Sequence, residues 1–278
     1  MLMTCFKITM PMDPALAWKK HLETLSMVLQ ALRENHLTAK PSKCEVGAQE
    51  TDALGHMVGR GLQWPQKVKI EKILEVTRPL SKSDIRSFLG MVGFYRKFIA
   101  NFATIARPLT DKTRKGEPAK VQWDDEAEKS FRALKEAMST EPVLTLPDFG
   151  KQFVLTTDAS QTGLGAVLLQ EHRGMKMPVM YISRKLKPAE SRYSTIEREC
   201  LGLVWATKRL HAYLYGKEFI LETDHQPLLF LDRCRINNDR IMRWALTMQM
   251  YRYSVRVIKG KDNATADYLS RCGEPSQV

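Results

Sequence analysis

Three aspartates stand where regular elements should end or begin. Asp158 closes the alternating run Phe153–Thr157, Asp224 closes Phe219–Thr223, and Asp267 falls in the first turn of a helix opening at Asn263. If the first and fourth strands of that half neighbour each other, Asp158 and Asp224 lie side by side. Carboxylates crowded in this way repel, which raises a pKa unless a cation lies between them. Mg²⁺ suits such a site, because it takes oxygen ligands and keeps waters and substrate phosphates in its shell. Two such ions ~3.5–4 Å apart activate water and stabilise the leaving oxygen in phosphodiester cleavage. A fourth ligand should come from the helix starting near Thr195, where Glu197 and Glu199 are the candidates. Ser194 with Glu197 reads as a capping box, which gives Glu197 a structural job. Glu199 lies elsewhere around the helix, beside Leu201, Leu203, Val204 and Trp205, and is the preferred ligand. Any one of these aspartates alone reads as a turn cap; four acids in this arrangement read as a metal site.

The elements that must place these acids show in the hydropathy pattern. Residues 153–157, 166–170, 179–183, 219–223 and 253–258 read as five strands, the first three forming an antiparallel meander. A long helix spans 195–213, shorter ones 226–232 and 239–250, and the last opens at Asn263. The first half is mostly helical. Asp13-Pro14 starts a helix with a Trp18, Leu22, Leu25, Leu29, Leu32 stripe. Residues 43–58 read as a hairpin, and 67–76 as a short helix stopped before Pro79. Residues 81–101 read as one helix, capped by Ser81 and Asp84, with Ile85, Phe88, Leu89 and Val92 inside. Gly90 and Gly93 in it suggest close packing, by a helix or by a nucleic-acid backbone. Asp124 caps a further helix through Met138. Pro142, Pro147 and Gly150 then mark a boundary.

The net charge of +12 favours an anionic partner, commonly nucleic acid. Residues 81–115 hold eight basic and two acidic groups, interleaved with Phe94, Tyr95 and Phe98. Such interleaving suits contact with a nucleic-acid backbone. The candidates for that contact are Arg96, Lys97, Arg107 and Lys112, with Arg184 and Arg243 in the second half. No apolar run approaches the ~20 residues of a membrane span. The five scattered cysteines form no C-x-x-C pair, so a reducing compartment, cytosol or nucleus, is expected rather than secretion.

Set in order, several short stretches resemble one family. They are Thr157-Asp158-Ala159-Ser160 with Gly163-Leu164-Gly165-Ala166, Tyr193-Ser194 through Glu199, Thr223-Asp224-His225, Arg243-Trp244, and Asn263 through Ala266-Asp267-Tyr268-Leu269-Ser270-Arg271. Together they resemble the C-terminal part of a gypsy-type LTR retrotransposon reverse transcriptase with its ribonuclease H domain. The resemblance implies a catalytic and metal-binding set of Asp158, Glu199, Asp224 and Asp267. It also implies Mg²⁺ or Mn²⁺, an RNA·DNA hybrid substrate, and an α/β fold: a mixed five-stranded sheet flanked by helices after a mostly helical thumb and connection region with a small hairpin. His21 to Cys44 resembles the palm end, Leu54-Gly55-His56 the primer-grip hairpin, and Ser87 through Ile99 the thumb. The domains implied are 1–66 (partial palm), 67–146 (thumb and connection), 147–273 (ribonuclease H-like) and 274–278 (tail).

The family's polymerase needs a Tyr-x-Asp-Asp turn, and this sequence has none. Asp124-Asp125 opens a helix and reads as a cap. The expected function is therefore metal-dependent cleavage of the RNA strand of a hybrid, without polymerase activity. The competing readings are an idle nucleic-acid-binding remnant, and a subunit that completes a polymerase as a dimer or with a partner chain.

Overall fold

The computed structural model describes residues 14–44, 46–172, 174–223 and 238–258. The chain begins with α1 (Pro14–Glu34). The apolar stripe of α1 faces solvent at Trp18, Leu22 and Leu29. Trp18 stacks on His21 and lies against Gly47.

Where the pattern suggested one hairpin, the structure has a three-stranded meander: β1 (Glu50–Ala53), β2 (His56–Gly59) and β3 (Leu62–Pro65). Two pairs, Leu54-Gly55 and Arg60-Gly61, turn the chain with φ of 52° and 80°, then 51° and 77°. Turns with both residues at positive φ match the twist of the strands they join. Leu-Gly and Arg-Gly are unusual for that turn, so the second hairpin was not legible.

The helical layer follows, with α2 (Lys67–Glu75), α3 (Lys82–Phe94), α4 (Phe102–Ile105), α5 (Arg107–Asp111) and α6 (Asp125–Ser139). Ser81 and Asp84 cap α3 reciprocally, and the Asp124 carboxylate accepts from the Ala127 N–H, as their positions suggested. The single helix expected over 81–101 ends at Phe94. A 3₁₀ turn over Arg96–Phe98 follows, and Asn101 then takes a left-handed φ of 48°. No helix packs closely on the two glycines: a side chain on Gly90 would meet open space, and Gly93 has ordinary contact with Phe102. Ile85, Phe88, Val92, Leu109, Leu134 and Met138 form the core of this layer. The strand β4 (Leu144–Thr145) returns to pair with β3, Leu62 opposite Thr145.

The second half builds a larger sheet from β5 (Phe153–Ala159), β6 (Gly163–His172), β7 (Met175–Lys185), β8 (Glu218–Thr223) and β9 (Arg252–Val257). The strand order is β7-β6-β5-β8-β9. The meander β5–β7 is antiparallel, whereas β5/β8 and β8/β9 are parallel. This is the expected mixed five-stranded sheet, and β5 and β8 are neighbours as the site requires. The helix expected over 195–213 divides into α7 (Thr195–Arg209) and α8 (His211–Leu214), and α9 (Asp239–Met248) leads into β9.

Strand alternation creates two apolar faces. Phe153, Leu155, Ala166 and Leu168 pack under Cys200, Leu203 and Val204 of α7. Val154, Val167 and Leu169 face the other way, toward Ala100 and Tyr181. The helical layer docks on that second face. No helix among the described residues is long and apolar enough to cross a membrane.

Candidate active site

The site lies at the end of β5. Asp158 is its penultimate residue, paired with Gly165 of β6. Beyond it the chain turns tightly around Ser160. The Ser160 hydroxyl accepts from the Thr162 and Gly163 N–H groups at 3.2 and 3.0 Å, and the Ser160 N–H donates to the Gly163 carbonyl at 2.9 Å. This knot anchors the strand end that carries Asp158.

Across it runs α7. A Cβ on Gly202 would lie 3.8 Å from Ala159 Cβ and 4.0 Å from the Asp158 carbonyl oxygen. The helix thus lies at ordinary van der Waals distance from the end of β5. Glu199, one turn earlier, is buried at 8% exposure. A buried carboxylate is costly in ionised form unless a cation or hydrogen bonds compensate it. Cys200 beside it is also buried. Burial, then the Glu199 charge, pushes its thiol up to about 12, which makes it a packing residue rather than a nucleophile.

Other acids nearby serve the fold. Glu197 accepts from the Ser194 N–H at 2.9 Å, completing the capping box, and from Arg240 at 2.7 Å and Asn238 at 3.2 Å. The Ser194 N–H foremost holds its carboxyl below the usual range. Glu222, 2% exposed on β8, takes Lys176 at 2.6 Å and Arg256 at 3.3 Å. Glu190 is gripped by both arms of Arg184 and by the Lys187 N–H. Its burial favours the neutral acid, and these donors outweigh it. Neither Glu222 nor Glu190 stands out in the sequence: strand neighbours reveal the first, and the local turn after β7 that brings it to Arg184 reveals the second.

Thr156 of β5 pairs with Glu222 of β8, and Thr223 ends β8 in the interior. The strand therefore delivers the chain toward the Asp158 end just before Asp224. Asp224 and Asp267 lie outside the described residues. Among the described residues no cluster of three or more His, Cys, Asp or Glu side chains could hold a metal.

The basic candidates divide by environment. Arg96 donates to the Ser183 carbonyl at 2.6 Å and lies over the Phe102 ring. Burial, then the Arg209 charge, lowers its pKa. Lys97, also lowered by burial, donates to Gln63 at 2.8 Å. Lys112 pairs with Asp124 at 2.6 Å and also reaches the Gln122 carbonyl. Arg184 grips Glu190 and lies over Trp205. Arg107 pairs loosely with Asp111 at 3.6 Å, and Arg243 is exposed on α9, donating among the described residues only to the Asp239 carbonyl of its own helix. Four of the six thus have firm partners within the chain.

Comparison with known proteins places this geometry. Residues 148–251 match the RNase H-like domain found in reverse transcriptase. The chain is 40% identical over 252 residues to the Retrovirus-related Pol polyprotein from transposon 297 of Drosophila melanogaster, covering 91% of this chain and 23% of that protein. It is 38% identical over 262 residues to the corresponding polyprotein from transposon gypsy of the same species, covering 90% of this chain and 25% of that protein. The chain thus spans about a quarter of the length of these relatives. The foamy viral protease-reverse transcriptase in complex with RNA/DNA hybrid shares the fold, with a TM-score of 0.70 at 19% identity over 94% of this chain and 35% of that one. Its complex with dsDNA superposes with a TM-score of 0.70 at 20% identity, covering 87% of this chain and 51% of that one.

Proposed function

We propose that this chain, similar over about nine-tenths of its length to retrotransposon Pol polyproteins and carrying an RNase H-like domain found in reverse transcriptase, is a gypsy-type Pol sequence that cleaves the RNA strand of RNA·DNA hybrids with Mg²⁺ or Mn²⁺. One observation carries the reading. Helix α7 packs over the end of β5 one turn after buried Glu199, so Glu199 lies toward the end of the sheet where Asp158 closes its strand, with β8 parallel beside it. We assign Asp158, Glu199, Asp224 and Asp267 as the metal-holding set, and take 1–66, 67–146, 147–273 and 274–278 as the domain divisions.

The donor chemistry fits a hard divalent ion, since all four residues offer carboxylate oxygens. When bound, two such ions supply an activated water and neutralise charge building on the scissile phosphate and leaving oxygen. The chain's own residues do the positioning. The Ser160 turn anchors the strand carrying Asp158, and the Ser194–Glu197 box anchors the start of α7 and hence Glu199. Exposed Arg243 and half-buried Arg107 are assigned to the nucleic-acid backbone, for which the bound foamy viral enzymes provide the analogy.

The test is cleavage of an end-labelled hybrid by the full chain. Metal-dependent cutting of the RNA strand alone, reduced to background by Asp158→Asn or Asp224→Asn, would establish the nuclease. A folded protein that binds the hybrid without cutting it would instead establish a nucleic-acid-binding remnant.

A further inference from the structure

On the face of the large sheet away from α7, one row of residues crosses three strands: Asp158 on β5, Gly165 on β6 and Ser183 on β7. The alternation that sends Val154 and Val167 to this face sends Asp158 there too. The helical layer docks along the row. The Ser183 hydroxyl accepts from the Ala103 N–H at 3.0 Å, and its carbonyl accepts from Arg96 at 2.6 Å. A Cβ on Gly163 would lie 3.0 Å from Thr104 Oγ1, and one on Gly165 only 2.5 Å from Asn101 Oδ1. Lys185, two residues past Ser183, pairs with Asp111 at 2.7 Å.

Gly165 is therefore glycine because of what covers it. The Asn101 amide occupies the gap on the strand beside Asp158. Asn101 reaches it from a left-handed backbone, φ 48°, which asparagine tolerates better than most residues. The contact spans 64 residues of sequence and joins the helical layer to the sheet face that carries Asp158.

We propose that Asn101 is a positioning residue for the metal-holding end of the sheet: seated over Gly165 and held by the Ser183 clamp, it fixes the surface on which Asp158 stands. The inference rests on the reading of Asp158 as a metal ligand. Groups that orient a ligand without touching the metal are expected to tune affinity, because a carboxylate free to shift loses its coordination geometry.

Asn101→Gly in the full chain tests this, since glycine keeps the left-handed backbone while removing the amide. Gly165→Ala is the complement, displacing the amide by its methyl group. Two quantities are read: the rise in unfolding temperature with added Mn²⁺, and the Mn²⁺ concentration giving half-maximal hybrid cleavage. Both variants should need roughly tenfold more Mn²⁺ in each measurement, with metal-free unfolding temperatures close to wild type. An unchanged Mn²⁺ requirement in both variants overturns the proposal, whether or not metal-free stability falls. A wild-type chain that does not cleave but is stabilised by Mn²⁺ through Asp158 overturns the nuclease reading alone. Asn101 is then judged on the unfolding shift: a higher Mn²⁺ requirement in the variants upholds the proposal, and an unchanged one overturns it. A wild-type chain showing neither response overturns both.

Discussion

Glu197 and Glu199 are two residues apart on α7, about 200° around the helix. That angle separates a cap from a buried acid. Glu197 serves Ser194, Asn238 and Arg240, so Glu197→Gln should cost about 0.5–1 kcal/mol, since solvent reaches part of the cap. Its carboxyl is held below its ordinary range, so its stabilisation is present above the unfolded value and fades as pH falls through the folded one. Urea unfolding should therefore show the gap between wild type and Glu197→Gln closing in acid. Glu199→Gln should remove cleavage while leaving the fold intact, and the opposite outcome for this pair would exchange their roles. His56 offers a second test at this scale. Burial, then the Lys97 charge, lowers it to about 4, with Asp52 opposing. Its folded pKa lies below the ordinary 6.5, so the unfolded chain binds the proton first and stability falls as pH drops from about 6.5 to about 4. The ring stacks on Phe94 at 5.1 Å and is only half-buried, so screening reduces the effect to on the order of 1 kcal/mol. His56→Phe should flatten that part of the stability–pH profile.

At the scale of elements, caps mark where helices start, and tertiary contacts decide where they stop. Ser81→Ala should lower the unfolding midpoint by roughly 2–4 °C, because α3 loses the hydroxyl that accepts from the Asp84 N–H, while the Asp84 carboxylate still accepts from the backbone N–H of residue 81. Phe88 is fully buried and meets Phe131 with ring centroids 4.7 Å apart. Phe88→Ala should cost about 3–5 kcal/mol, read from a denaturation midpoint. That loss would show the helical layer to be a packed core in its own right. The ends of α3 and α7 were misjudged for one reason: periodic apolar residues continue past both. Ile99 and Phe102 remain in register with α3 but are buried by a turn and a new helix, and Leu214 is buried by α8 rather than α7.

The whole molecule carries +12, and much of the local basic charge serves its own architecture. Arg96 and Lys185 bind the helical layer to the large sheet, and Arg184 braces the chain beyond β7. Arg243→Ala should therefore weaken hybrid binding several-fold with little change in stability. Arg184→Ala should lower stability, because it strands the largely buried Glu190. Binding to any hybrid should weaken steeply with salt as counterions are released, and a salt titration of affinity should show a smaller slope for Arg243→Ala.

Much was determined by the order of residues alone. Caps at Ser81, Asp124 and Ser194 are written locally, because a helix start needs one short polar side chain at one position. The strands follow from alternation, whereas the adjacency of β5 and β8, on which the pairing of Asp158 with Asp224 depends, comes from the sheet itself. The candidate acids Asp158 and Glu199 were legible because their types and spacing are themselves the chemistry. Tertiary structure alone decided the rest. The strand pair β3/β4 joins residues about eighty apart, and Asn101 meets Gly165 across a similar span, with no periodicity to announce either. Whether Arg96 faces a phosphate or the Ser183 carbonyl depends on what folds against it, and that is settled by packing.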